Sequence, residues 1–598
     1  MKRAFVLVAL LTVFSVSGFT EPQKTSGLQW QGWSQSVFDQ ARSEHKFVLL
    51  DLEAVWCHWC HVMDETTYKD PAVIRLLQSK YLLVKVDQDK RPDLSNRYED
   101  FGWPATVVFA ADGSEIVKRR GYLLPEEMSS MLQAVIDDPT PGPSVEPEEK
   151  IVYPTKAGLT PALREELTKG FLNGYDKVHG SWGFNQKYLD WDSVEYSLDL
   201  ARTGDKGAEQ MARQTLHEQL HLLDPAWGGV YQYSTDGDWK APHFEKIMQF
   251  QAENLRIYSL ASAQLGDPED LHAASEIHRF VTTFLMSPEG AFYTSQDADL
   301  VEGKHSAEYF ALSDAERRKL GVPRVDKHIY ARENGWMIAA IATFYGATGD
   351  KKYLDEATRA ANWVIKNRAL PGGGFRHDAQ NAAGPFLGDT IAMGRGFLAL
   401  YSVTGDRAWL QRATAASDFI ERNFKNSQGA GFTTAHSATD HAYVPHPQRD
   451  ENVMVVRFAN LLSHYTGNEH YREMAEFSMR YLAAEPIAER TPIASVLLAE
   501  RELSSPPLHL TIVGGKSDPK AQELFAAALR YPANYKRLEW WDVKEGKLPN
   551  PDVEYPQLSR AAAFVCTSRT CSPPIFEPVS LSSKVDRLVG VTVAEVKK

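Results

Sequence analysis

The sequence predicts a multidomain chain, with an α/β domain first, a long all-α array second and a small α/β segment last. Three observations carry this. Short β-favouring runs alternate with helical patterns over residues 46–121. Beyond a proline-rich stretch, helices joined by Gly-Asp turns recur through the middle of the chain. One strand–turn–helix unit follows Pro506-Pro507. The expected boundaries are a leader over 1–18, the α/β domain over 24–137, a Pro-rich linker over 138–160, the helical array over 161–505 and the last segment over 506–598.

With 43% hydrophobic, 24% charged and 11% aromatic residues, the 598-residue chain is globular in composition. Its net charge of −13, without a long Lys/Arg run, excludes nucleic acid as a partner class, because phosphate neutralisation supplies most of that affinity. Lys2, Arg3 and the apolar run Ala4 to Val16, closed by small residues at Ser17-Gly18, read as a signal peptide. The run is shorter than the ~20 residues a span needs, so no stable membrane insertion is expected. The expected location is periplasmic or secreted, where disulfides form.

In the first domain Phe47–Glu53 and Tyr81–Asp87 read as buried strands, Thr106–Phe109 as a third, Ala111-Asp112-Gly113 as a hairpin turn and Pro125 to Val135 as a closing helix. The chain has four cysteines, too few for a disulfide framework. Two of them, Cys57 and Cys60, flank His58-Trp59 where the first strand gives way to a helix. A helix N-terminus stabilises a thiolate at Cys57, Cys60 lies one turn on and can resolve a mixed disulfide, and a His between them can donate to the thiolate. The alternative is a zinc site that these cysteines share with Cys566 and Cys571; the strand–helix context favours redox, so no metal ligand and no cofactor beyond the Cys57–Cys60 disulfide is assigned.

Asp51-x-x-Ala54-x-Trp56-Cys57-x-x-Cys60 resembles the thioredoxin superfamily. The resemblance implies that Asp51 relays the proton of Cys60 and that Pro104 is a cis-proline facing the disulfide. The residues between the cysteines are not the Gly-Pro of thioredoxin itself, which leaves the direction of electron flow open.

In the middle of the chain Thr203-Gly204-Asp205, Leu265-Gly266-Asp267, Thr348-Gly349-Asp350, Thr404-Gly405-Asp406 and Thr466-Gly467-Asn468 each read as a helix C-cap followed by a new helix start. Between them lie Gly-aromatic loops at Trp182-Gly183-Phe184, Gly228-Gly229-Val230-Tyr231, Gly290-Ala291-Phe292-Tyr293, Gly373-Gly374-Phe375 and Gly431-Phe432. With a late helix over Thr491 to Leu503 they suggest six helical hairpins, as a solenoid or a closed ring.

Cys57-His-Trp-Cys-His-Val-Met63, Lys85-Val-Asp87, Arg91-Pro-Asp93, Pro242-His-Phe-Glu-Lys246, Asp297-Ala-Asp299, Phe386-Leu-x-Asp389 and Cys566-x4-Cys571-x-Pro573-Pro574 stand in the order seen in the spermatogenesis-associated-protein-20-like family, which the chain resembles over nearly its whole mature length. The resemblance implies an (α/α)6 toroid similar to six-hairpin glycosidases and sugar epimerases. The chain departs from the family at Lys304-His-Ser-Ala-Glu-Tyr-Phe310.

Pro242 suits a first helical turn, which would place His243, Glu245 and Lys246 at a helix start beside the Gly-rich loops. Asp297, Asp299 and Asp389, with Trp239 and Tyr233 as aromatic lining, complete a candidate sugar site, and His243 with His377 could instead exchange a sugar proton. Cys566 and Cys571 are spaced for a local disulfide. The leading expectation is an exported thiol–disulfide oxidoreductase module, acting on a protein disulfide or redox partner, fused to a toroid that binds or processes carbohydrate. The alternatives are a carbohydrate-active hydrolase or epimerase using the module for docking or sensing, and a non-catalytic scaffold.

Overall fold

The computed structural model describes residues 27–145, 151–380, 383–436, 444–567 and 571–589. The signal-peptide reading falls on residues outside these. No helix among the described residues is long and apolar enough to cross a membrane.

The first domain is a five-stranded sheet of β1 (Trp30–Gln31), β2 (Phe47–Glu53), β3 (Tyr81–Asp87), β4 (Ala105–Phe109) and β5 (Glu115–Arg120), in the order β1-β3-β2-β4-β5. The three strands β1, β3 and β2 run parallel, β4 is antiparallel to β2, and β5 is antiparallel to β4. Central β2 and β4 are buried along nearly their whole length because helices cover both faces, so they read as continuous apolar runs. Part of the Pro-rich linker lies along β5, with Gly142 N donating to Ile116 O at 2.8 Å and Lys118 N to Ser144 Oγ at 2.9 Å.

The helical array is a closed ring. Its inner helices are Trp191–Arg202, Met248–Leu265, Ala331–Thr348, Leu387–Thr404, Arg449–Thr466 and Ala494–Ser504. Each packs on the next, and Ala494–Ser504 packs back on Trp191–Arg202. Five are followed by their outer partners, while the sixth hairpin joins Ala494–Ser504 to Pro161–Asn173 from the start of the ring. Outer helices bury one stripe, as Tyr353, Ala357, Ala360, Ala361 and Val364 do in Lys351–Arg368; inner helices bury most of their circumference.

Four of the five repeated turns are as the sequence predicts; in the first, Thr203 and not Gly204 is the C-cap. Gly266, Gly349, Gly405 and Gly467 are left-handed C-caps, and Asp205, Asp267, Asp350, Asp406 and Asn468 each accept a backbone N–H of the following helix. The Gly-aromatic loops form single bridges, such as Leu223 to Val230 and Lys425 to Phe432, that return the chain to the other end of the ring.

Ala331–Thr348 and Leu387–Thr404 approach so closely that a Cβ on Gly335 would stand 2.4 Å from the carbonyl carbon of Ala392. Backbone cannot yield as a flexible side chain can. Gly335→Ala is expected to destabilise the protein by about 2–3 kcal/mol, read as a lowered thermal midpoint.

The last segment holds a three-stranded sheet rather than one strand. Leu508–Val513 lies between parallel Lys536–Trp541 and antiparallel Ala562–Cys566, with Pro519–Arg530 packed against it. It covers the ring at the C-terminal ends of the inner helices, where Lys516 Nζ donates to Gly405 O at 2.9 Å and Asn550 Nδ2 to His464 O at 2.8 Å. Cys566 and Cys571 are joined as a disulfide, as are Cys57 and Cys60. Both pairs are therefore closed within themselves, so the structure does not support the four-thiolate alternative.

Candidate functional site

Cys57 caps the helix His58–Glu65, and its Sγ accepts the backbone N–H of Cys60 at 3.2 Å. That N–H belongs to the unsatisfied first turn, which favours negative charge on sulfur. The register of β2 on β3 sets Lys85 beside Asp51, with Nζ 3.0 Å from Oδ2. Lys85 also reaches Glu53 and Asp64, each at 2.7 Å. Burial pushes the Asp51 carboxyl up to about 7 against the pull of Lys85, and its Oδ1 has no hydrogen-bond partner among the described residues. The Trp103–Pro104 peptide bond is cis.

The disulfide face of this domain sits on the mouth of the ring. Cys57 and Cys60 are 4% and 2% exposed, packed against Ile247 and Phe250 from the toroid. Glu245 Oε1 accepts from His58 N at 3.4 Å. Asp299 bridges both histidines of the motif, Oδ1 to His58 Nδ1 at 2.7 Å and Oδ2 to His61 Nδ1 at 3.1 Å. Farther round the mouth His377 joins Asp389 Oδ1 at 2.9 Å and donates Nε2–H to Asp89 O at 2.6 Å. Gln448 Nε2 donates to Glu99 at 2.8 Å.

Burial raises the Glu245 carboxyl to about 7 and that of Asp297 to about 6. It lowers the His243 imidazole to about 4. Burial opposes the charge on His61, but the hydrogen bond to Asp299 and the nearby carboxylates outweigh it and hold the ring protonated up to about 9.

Several sequence-predicted residues stand elsewhere than expected. Pro242 does not start a helix; Pro242–His243 and Lys246–Ile247 are short strands, and the helix begins at Met248. Extended backbone alternates side chains, so His243 and Glu245 fall on one side, 3.9 Å apart, and Lys246 on the other. There Lys246 is fully buried, 2.7 Å from Asp224, which also binds Arg317; these two cations hold the Asp224 carboxyl near 2 against its burial. Lys246 thus secures the Gly228 loop instead of lining a site. Trp239 is buried and donates to His179 O at 2.6 Å, leaving the aromatic lining to Tyr233, which stacks on His243 at 4.4 Å. Asp389 does open a helix, but its Oδ1 receives Arg332 N and faces His377.

The open approach to the cysteines is a groove of about 630 Å³ between the two domains, lined by Trp56, Cys57, Trp59, Trp103, Tyr233 and Glu245 among others. Trp59 is 41% exposed and stacks on Tyr122 at 5.7 Å. The ion pair of Lys85 with Asp51 and the clamp of His61 on Asp299 were missed by sequence reasoning; only the β2–β3 pairing and the close of the ring reveal them.

His377→Ala is expected to loosen the seating of the two domains. It leaves Asp89 O without its donor and Asp389 with Arg332 N alone, at about 1–3 kcal/mol. Faster hydrogen exchange over β3 and the following turn is the readout; unchanged protection there would show that the bond carries nothing.

A redox-type α/β domain seated on a six-hairpin toroid is the class that the fold and site define. A family model described as "Protein of unknown function, DUF255", of the thioredoxin-like DsbH group, matches residues 13–136. The chain is similar over most of its length to spermatogenesis-associated protein 20: the human protein is 23% identical, with 93% of this chain and 89% of the relative covered. The thiol:disulfide interchange protein DsbD of Pseudomonas fluorescens is 36% identical over 84 residues, 14% of each chain. Among solved structures, the cellobiose 2-epimerase of Bacillus thermoamylovorans is similar at 12% identity and a TM-score of 0.42, over 54% of this chain and 86% of that one.

Proposed function

We propose that the protein is a thiol–disulfide oxidoreductase whose toroid shapes access to the disulfide. The observation that carries this is the use of the ring's mouth residues: Glu245 and Asp299 bind the cysteine-bearing helix, and His377, itself held by Asp389, binds the turn after β3. These groups are committed to the redox domain, so no sugar chemistry is assigned to them. The likeness to a thiol:disulfide interchange protein supports the same reading.

In the reducing direction the Cys57 thiolate attacks a partner's disulfide, forming a mixed disulfide and releasing one partner thiolate. Cys60 gives its proton to Asp51, attacks Cys57 Sγ and releases the second partner thiolate. Two electrons pass to the partner, whose two thiolates take up the proton that Asp51 gives back and a second from solvent, and the Cys57–Cys60 disulfide remains. The oxidising direction reverses each step. Trp103, joined to Pro104 by the cis bond, lines the groove that an incoming extended segment would enter, and His58, next to Cys57, is held in place by Asp299. The groove admits a protein segment; a carbohydrate ligand suggested by the ring's fold would meet the stacked Tyr233–His243 pair. Action in an oxidising compartment after export completes the proposal.

The test is redox equilibrium of the protein against glutathione, with thiols counted by mass spectrometry. A Cys57–Cys60 couple titrating between about −120 and −270 mV supports an oxidoreductase. Cysteines that do not titrate would overturn it.

A further inference from the structure

His61, Asp297 and Asp299 each bring one donor atom within 4.8 Å of the other two, and all three are buried. They come from separate domains: His61 from the cysteine-bearing helix, the aspartates from the toroid loop after Ser295–Gln296. The imidazole is oriented as a metal ligand's would be. Its Nε2 faces the Val55 carbonyl at 3.2 Å, which fixes the proton there. That leaves Nδ1 facing two carboxylate oxygens, Asp299 Oδ2 at 3.1 Å and Asp297 Oδ1 at 3.8 Å. A four-coordinate zinc with bonds of about 2.0–2.1 Å sets its ligand atoms about 3.3 Å apart, between these two distances.

A second observation points to a cation. Asp297 is 2% exposed, yet its Oδ2 has no hydrogen-bond partner among the described residues. Its Oδ1, the oxygen that faces His61, accepts Asp299 N at 2.8 Å and keeps a second lone pair. A buried carboxylate oxygen left so is unfavourable unless a cation or proton meets it. Asp299 is oriented from behind by Gly303 N at 2.8 Å and His58 Nδ1 at 2.7 Å, the supporting contacts that ligating carboxylates receive.

We infer that His61, Asp297 and Asp299 form a site for a zinc-class divalent cation, bound across the two domains through one imidazole nitrogen and two carboxylates. Imidazole with carboxylates suits first-row divalent ions over calcium or magnesium, which prefer all-oxygen sets. On binding, the metal takes the Nδ1 lone pair of His61, and the proton held there passes to solvent. Because it joins the cysteine-bearing helix to the ring, the bound ion fixes the redox domain in its seat. The inference does not depend on thiol exchange, since both cysteine pairs are oxidised in the state described.

The experiment uses the full-length protein with both disulfides intact, so that no thiolate competes. Equilibrium dialysis against zinc chloride, followed by metal analysis, is expected to give one zinc per chain. Asp297→Asn and His61→Ala should each weaken binding by about tenfold to a hundredfold or more. His305→Ala, which removes an exposed imidazole beside His58, should leave it unchanged. X-ray absorption on the loaded wild-type protein should show only N/O neighbours near about 2.0–2.1 Å. Sub-stoichiometric zinc, sulfur neighbours near about 2.3 Å, equal affinity in Asp297→Asn, or loss in His305→Ala would each overturn the site. Failure here with a normal glutathione titration would leave the oxidoreductase reading standing; the reverse result would leave the metal site.

Discussion

Cys57→Ser is expected to abolish insulin reduction, lowering turnover by about a thousandfold or more. A serine hydroxyl is not ionised near neutral pH, so the group that accepts the Cys60 N–H would carry no charge to attack with. Cys60→Ser should behave differently: attack proceeds, no resolving thiol follows, and a mixed disulfide with the partner accumulates. That species, seen by non-reducing electrophoresis and mass spectrometry, also identifies the partner. Turnover by Cys57→Ser equal to wild type would sink the proposed function, provided its thermal midpoint shows that the variant is folded.

Asp51→Asn is expected to raise stability while lowering activity. The carboxyl sits near 7 because burial penalises its ionised form, against about 3.9 in an unfolded chain. A folded-state pKa above the unfolded one means that stability is full below about pH 4 and falls as pH rises through about 7. Asparagine removes that loss. The variant should match wild type at pH 4 and exceed it by about 2–4 kcal/mol at pH 8, in urea midpoints. Lys85 is not orphaned, because Glu53 and Asp64 remain with it. Resolution of the mixed disulfide at pH 7 should slow by about tenfold to a hundredfold, since the proton acceptor for Cys60 is gone. A wild-type rate of resolution would remove Asp51 from the mechanism even if the stability gain were found.

Locally determined features were legible in the sequence, and features made by closure were not. β2 and β3 coincide with their apolar runs because both are buried on two faces. The Gly-Asp turns were readable because a left-handed C-cap and an N-cap are each the property of one residue. Lys536–Trp541 escaped notice because its interior carries Arg537 and Glu539, a buried ion pair at 2.9 Å that breaks the apolar pattern. The site followed the same division. Cys57, Cys60 and Asp51 lie within one strand–helix junction. The contacts of Glu245 with His58, Asp299 with His58 and His377 with Asp89 span 187, 241 and 288 residues, and spacing in the chain encodes none of them.

The sixth hairpin has a consequence for biogenesis. Arg164 and Glu500, which join its two helices by a hydrogen bond, are 336 residues apart. During synthesis the redox domain is complete long before the ring, whose first outer helix must wait with part of its apolar stripe uncovered until the last inner helix emerges. Such non-local pairing is slow to form and leaves sticky surface exposed meanwhile. A ribosome that stops short of residue 494 would release an open arc, so the nascent chain is a natural client for chaperones that shield helices until synthesis ends.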